Sequence, residues 1–311
     1  MHQPADLAEF FTSKIVNDSH LLWPVLLQGL LVIFTKFHSL VGVDVYKLVL
    51  TDVLGSIHAQ SLTGRSVLFQ LLFKIVKAHP CMAKKMGSNF IEKYIALVDE
   101  EKDPKALKSI WNLTILLNQV QVDAGPITED FFDVSAMYWP IEFKSKDAEN
   151  RQEKEELKSL LTKVLISNVK WTGFNYAMIL EKLAATGFSA KMNALELFVE
   201  MNQKWEVAYS AKQEEDLVPS AILATVRDLV HETDSDNDVE GYNSVLDVFT
   251  KIVRIMDEGE ILNFFKSVVA NDAGVRQLDE PDREALILAI ARGRFDMVME
   301  NSKDTVRLEI V

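Results

Sequence analysis

Apolar residues in this chain recur three and four positions apart, and almost nowhere at every second position. From Leu22 they fall at Val25, Leu26, Leu30, Ile33, Phe34 and Phe37, with Gly29 on the same face. The spacing repeats at Val45, Leu48, Val49, Val53 and Ile57, interrupted by Asp52, and again at Val67, Leu68, Leu71, Leu72, Ile75 and Val76. That is the pattern of a helix with one broad buried face. Short turns carrying Gly or Pro separate the blocks, "SLVGVD", "SLTGR" and "AHPCM", which suits antiparallel neighbours. No segment alternates with period two between hairpin turns, so a sheet is not expected.

The helices pair. First helices are predicted to begin near positions 21, 63, 104, 151, 189, 239 and 281, at intervals of about 38 to 50 residues, close to the roughly 40 to 47 of HEAT and armadillo units. The expected fold is all-α: one HEAT-type solenoid over residues 1–311, of about six to seven helical pairs, with a charged loop at 144–155 and an acidic linker at 232–240. A large irregular helical domain is the competing architecture, and only the regularity of the spacing separates the two.

One stretch breaks the helical pattern. In "SAMYWPIEF" (135–143), Pro140 lacks an amide proton and pushes Trp139 out of the helical region, so the preceding helix must end there. Tyr138, Trp139, Pro140, Ile141 and Phe143 form an extended strap near 138–143, with Trp139, Ile141 and Phe143 on one side. Two roles stand open. The strap seals a junction between repeats, as buried aromatics usually do, or it presents exposed rings to a partner.

Charge and composition exclude several functions. With 33 basic against 46 acidic residues the net charge is −13, and no basic face gathers, which argues against direct nucleic-acid binding. The apolar run "LLWPVLLQGLLVIF" (21–34) is too short for the roughly 20 residues a bilayer needs, so no membrane span is expected. The start, "MHQPADLAEF", lacks the basic and apolar regions of a signal peptide. A single cysteine, Cys81, permits no internal disulfide and no cysteine-ligated cluster within one chain, and fits a reducing compartment. With His79 it reads as a core or turn residue rather than a metal ligand.

In "DSDNDVEGY" (234–242), Asp234, Asp236 and Asp238 match the first, third and fifth positions of a calcium loop. Val239 stands where that loop needs glycine and Val245 where it needs a bidentate glutamate, so the stretch reads as a solvated linker. No phosphate-binding glycine loop, nucleophile elbow or zinc-protease motif is present. Catalytic residues, cofactors and metal ligands are therefore not expected.

The stretch "YWPIEF", preceded by "EDFFDVS" (129–135), resembles the amino-terminal HEAT region of the methyl-methanesulfonate-sensitivity and nucleotide-excision-repair protein family. "HAQSL" (58–62), "DEEKDP" (99–104) and "SAKMNALELF" (189–198), the last after "YAMILEKL" (176–183), agree in the same order. The resemblance is clearest from about residue 6 to about 210. It implies a non-enzymatic adaptor of the cytosolic iron-sulfur assembly targeting complex, bringing apoprotein clients of DNA replication and repair, such as the XPD helicase, to the assembly factors. It further implies cytoplasmic and nuclear occurrence and links to DNA damage and chromosome segregation. Family members are much longer, and this chain, which stops at Val311, looks like an amino-terminal part, a short isoform or a short member. In the family the carboxyl-terminal repeats are implied to dock the assembly factors. A karyopherin-like transport receptor, also acidic and built of helical pairs, is the rival reading.

Overall fold

The computed structural model describes residues 3–17, 22–56, 62–99, 101–141, 148–205, 217–236, 238–270 and 278–308. Among them there are fifteen α-helices and no strand. The chain divides into two compact units, Met1–Trp171 and Thr172–Val311.

Unit 1 holds α1 (Pro4–Asn17), α2 (Trp23–Lys36), α3 (Val43–Ser56), α4 (Leu62–Ala78), α5 (Pro80–Met86), α6 (Ser88–Val98), α7 (Pro104–Gln119), α8 (Thr128–Ala136) and α9 (Ala148–Leu165). Two layers run through it. In one, α2 packs on α4, α4 on α7 and α7 on α9; in the other, α1 packs on α3, α3 on α6 and α6 on α8. Unit 2 holds α10 (Thr172–Leu183), α11 (Phe188–Lys204), α12 (Leu217–Ser235), α13 (Val239–Ile255), α14 (Glu258–Ala270) and α15 (Glu280–Leu308). Here α11, α13 and α15 form one succession, and α10, α12 and α14 the other. Within each unit this is the layering of an all-α helical-repeat solenoid.

The first helices of the pairs start at Trp23, Leu62, Pro104, Ala148, Phe188, Val239 and Glu280, within three residues of the positions read from the spacing. Local chemistry places several of these starts. Asp103 caps α7, its Oδ2 accepting from the Ala106 amide at 2.8 Å, with Pro104 pre-set for the first turn. Asp238 does the same for α13 through the Gly241 amide at 2.9 Å.

Two loops expected from charge are shorter than their composition suggested. The charged run is helical from Ala148, so residues 148–155 are not a loop, and residues 144–147 lie outside the described ones. Glu, Gln, Lys and Arg are strong helix formers, and Glu153 and Glu156 of α9 lie 3.6 and 2.9 Å from Lys108 of α7. The hydrogen bond to Glu156 raises the pKa of Lys108 above its ordinary value. At 232–240 the acidic residues largely belong to helix ends, because α12 runs to Ser235 and α13 begins at Val239. Polar, acidic side chains are as compatible with helix termini as with a linker.

The core of unit 1 is aromatic where the layers meet. Tyr94 of α6 stands edge-on to Phe131 of α8 at 5.9 Å, and Trp171 receives Phe131 at 5.2 Å and Phe132 at 5.6 Å. The Tyr94 hydroxyl is satisfied by Thr114 Oγ1 at 2.7 Å and donates to the Ile110 carbonyl at 3.1 Å. Burial holds its pKa well above the usual phenol range.

Unit 2 contains a close approach. A Cβ on Gly293 of α15 would stand 2.8 Å from the Thr250 carbonyl oxygen and 2.9 Å from Val253 Cγ1 on α13. Gly293→Ala is therefore expected to destabilise the fold by about 1 to 3 kcal/mol despite its better helix propensity, because backbone must move. Urea denaturation checks this, and a gain in stability would show that the two helices separate readily.

Candidate interaction surface

The strap begins where α8 ends. The Trp139 amide donates to the Ala136 carbonyl at 2.8 Å, turning the chain out of the helix, and the Trp139–Pro140 peptide is cis. Trp139 is buried, with 9% of its surface exposed. Tyr138, Pro140 and Ile141 are half-buried, and Phe143 lies outside the described residues.

Tyr138 is tied to "DEEKDP", since its hydroxyl donates to the main-chain carbonyl of Glu101. The Glu101 side chain, 2% exposed, holds this corner together. One carboxylate oxygen accepts from the amides of Lys102 at 2.9 Å and Asp103 at 3.0 Å, and from Arg65 Nη2 of α4 at 3.3 Å. The other lies 2.7 Å from Arg65 Nε. An ionised carboxylate can be buried only with this kind of compensation. Two stretches far apart in sequence thus meet: the acidic corner before α7 and the aromatic strap after α8.

Three of the other stretches singled out in the sequence also serve packing. "EDFFDVS" supplies Phe131 and Phe132 to the aromatic core. In unit 2, Tyr176 of "YAMILEKL" donates to Asn202 Oδ1 at 3.2 Å, and its ring lies 6.4 Å from Phe198 of "SAKMNALELF". "HAQSL" lies mostly outside the described residues. His79 stands edge-on to Tyr46 at 4.4 Å. Cys81, read as a core or turn residue, is exposed in the first turn of α5.

The surface suited to recognition adjoins the strap. Helices α6 and α8 enclose a groove of about 540 Å³ lined by Glu92, Ile95, Asp99, Ile127, Asp130, Asp133, Val134 and Met137. The carboxylates of Glu92, Asp99, Asp130 and Asp133 are exposed, Met137 is 47% exposed, and Ile95, Ile127 and Val134 are half-buried. Among the described residues no lysine or arginine lines it. The arrangement offers apolar contact flanked by negative charge, which favours a segment mixing aliphatic and basic side chains.

Sequence reading missed this groove. A signal was present, for Glu92, Ile95 and Asp99 follow helical spacing on α6, as do Asp130, Asp133, Val134 and Met137 through the end of α8. Mixed acidic and aliphatic stripes are common on solvated helices, however, and nothing in the sequence says that these two stripes face each other.

Comparison with known proteins identifies the lineage. Residues 2–222 match the family described as Dos2-interacting transcription regulator of RNA-Pol-II. The MMS19 nucleotide excision repair protein homologs of Bos taurus and Homo sapiens are 28% and 27% identical over 279 residues, which is 88% of this chain and 26% of each relative. The DNA repair/transcription protein mms19 of Schizosaccharomyces pombe is 29% identical over 129 residues, 40% of this chain and 12% of that protein. The chain thus spans about a quarter of the length of these two mammalian relatives. A family match that takes in more than half of the residues, on a fold of paired helices, means that this chain belongs to the MMS19 family.

Proposed function

We propose that this chain is a non-catalytic adaptor segment in cytosolic iron-sulfur protein assembly, serving DNA repair and transcription by presenting a surface to apoprotein clients such as the XPD helicase. The carrying observation is the family match over residues 2–222, to relatives named for nucleotide excision repair and transcription. A layered helical repeat supports the reading, because such folds recognise partners through extended surfaces rather than enclosed active sites. So does the groove between α6 and α8, whose acidic rim and apolar floor suit a basic, amphipathic client segment. The chain works in cytoplasm and nucleus, where such clients are made and used. Docking of the assembly factors belongs to other repeats of the family, so bridging of client and machinery requires both surfaces in one assembly.

Pull-downs with each partner separately test this. The chain is expected to retain the XPD helicase weakly and not to retain the assembly factors. Asp130→Lys combined with Asp133→Lys is expected to lower client capture about tenfold through the lost charge complementarity. Both positions are exposed, so the melting temperature should stay within about 2 °C. Robust retention of the assembly factors without client would reverse the assignment of the two surfaces, and undiminished client capture by the double variant would remove the groove from it.

A further inference from the structure

The turn between α2 and α3 carries large apolar side chains into solvent. Phe37, Leu40 and Val43 are 42, 60 and 56% exposed. Three element ends meet at this edge of unit 1, because the Tyr46 ring, in the first turn of α3, lies 4.4 Å from Phe34 near the end of α2 and 4.4 Å from His79 just after α4. Lys36, Lys47 and Lys77, all exposed, therefore border the same edge. Asp44 is the one acidic residue between Lys36 and Lys47, and none occurs from Val53 to Ile91. Among the described residues none of the three lysines forms an ion pair. They come from three different helices, so no basic run marks the edge in the sequence.

An exposed apolar cluster bordered by unpaired cations is out of place on a chain of net charge −13 unless something covers it. Its complement lies in the same unit. The groove between α6 and α8 has Ile95, Ile127 and Val134 along it and a rim of Glu92, Asp99, Asp130 and Asp133, none of which forms an ion pair among the described residues. The exposed side chains of the turn match the recess, and each surface carries the charge the other lacks. Both are built on packed helices of unit 1, so the turn of one copy cannot fold into its own groove. Three cations are too few to track a phosphate backbone or to hold an anionic bilayer against the net negative charge. Between proteins that charge is screened beyond about 8 Å at physiological ionic strength, so a local contact feels the facing groups.

We propose that the 37–43 turn of one copy, with Lys36, Lys47 and Lys77 beside it, docks in the α6–α8 groove of a second copy. Phe37, Leu40 and Val43 would meet Ile95, Ile127, Val134 and Met137, and the lysines would meet the carboxylate rim. The contact is heterologous, so each end of an assembly keeps a free turn or a free groove, and the assembly grows with concentration unless the rotation closes a ring. Such docking needs only the groove and does not depend on the adaptor reading.

Sedimentation of the full chain tests this. In about 50 mM salt the average mass is expected to rise with concentration, with Kd on the order of 10⁻⁵ to 10⁻⁴ M as for a small transient contact, and about 0.5 M salt should weaken association at least tenfold. Lys36→Glu with Lys47→Glu, and separately Asp130→Lys with Asp133→Lys, should each leave the chain monomeric. All four positions are exposed, so the melting temperature should stay within about 2 °C. Mixing the two double variants should restore association, since each groove then meets a turn of opposite charge. The chain with Lys36→Glu and Lys47→Glu should still capture client, so self-docking and client binding fail separately. A wild-type chain that stays monomeric up to about 0.5 mM, association undiminished in either double variant, or no recovery on mixing would each overturn the docking. A monomer that instead sediments with phosphatidylserine vesicles through Lys36 and Lys47 would give the edge to a membrane surface and overturn it as well.

Discussion

Trp139→Ala is expected to lower the stability of the chain by about 3 to 5 kcal/mol, the usual cost of removing a large ring from a packed site. The ring is 9% exposed and sits where α8 turns out of its helix, so truncation removes buried apolar surface that the neighbouring backbone can recover only in part. Chemical denaturation of the whole chain, followed by far-UV signal, measures it. A partner-facing ring would behave in the opposite way: stability would change by less than about 0.5 kcal/mol while client capture fell. Running the denaturation and the client pull-down on one preparation separates the two roles of the strap. Tyr138→Phe is a milder companion, because it removes the hydroxyl that donates to the Glu101 carbonyl and keeps the ring.

Glu101→Ala is expected to cost about 2 to 4 kcal/mol. Its carboxylate serves two amides and both sides of the Arg65 guanidinium, and its side chain is 2% exposed, so alanine leaves those donors without their acceptor. Arg65 is 36% exposed and can turn toward water, which limits the loss. Arg65→Ala leaves the buried carboxylate with amide donors alone. A double-mutant cycle between the two positions is expected to give a coupling of about 1 to 3 kcal/mol. A coupling near zero would mean that the corner is held by the strap and the amides, with the ion pair incidental.

Glu101 also marks the limit of what could be read without a structure. In "DEEKDP" it is indistinguishable from Glu100, and nothing local says that it is the one sheltered beside Arg65, 36 residues earlier. The helix start at Pro104 beside it was legible, because apolar periodicity depends on residues three and four positions apart. The same contrast holds at the acidic run. Matching Asp234, Asp236 and Asp238 to a calcium loop tests spacing along one segment, and that template fails at Val239 and Val245. In the structure Asp234 groups instead with Asp279 and Asp282, from the start of α15.

By itself the sequence determined the helices, their starting points, their pairing period and the break at Pro140. Each of these follows from interactions within a few residues: apolar periodicity, caps, and a proline without an amide proton. The order of the family stretches was readable for the same reason, as a linear property. Only the tertiary structure decided that Tyr138 meets Glu101, that the stripes of α6 and α8 face each other across a groove, and that three aspartates share one point. Those outcomes depend on which helix faces lie against which, and helical periodicity marks a buried face without naming the surface that covers it.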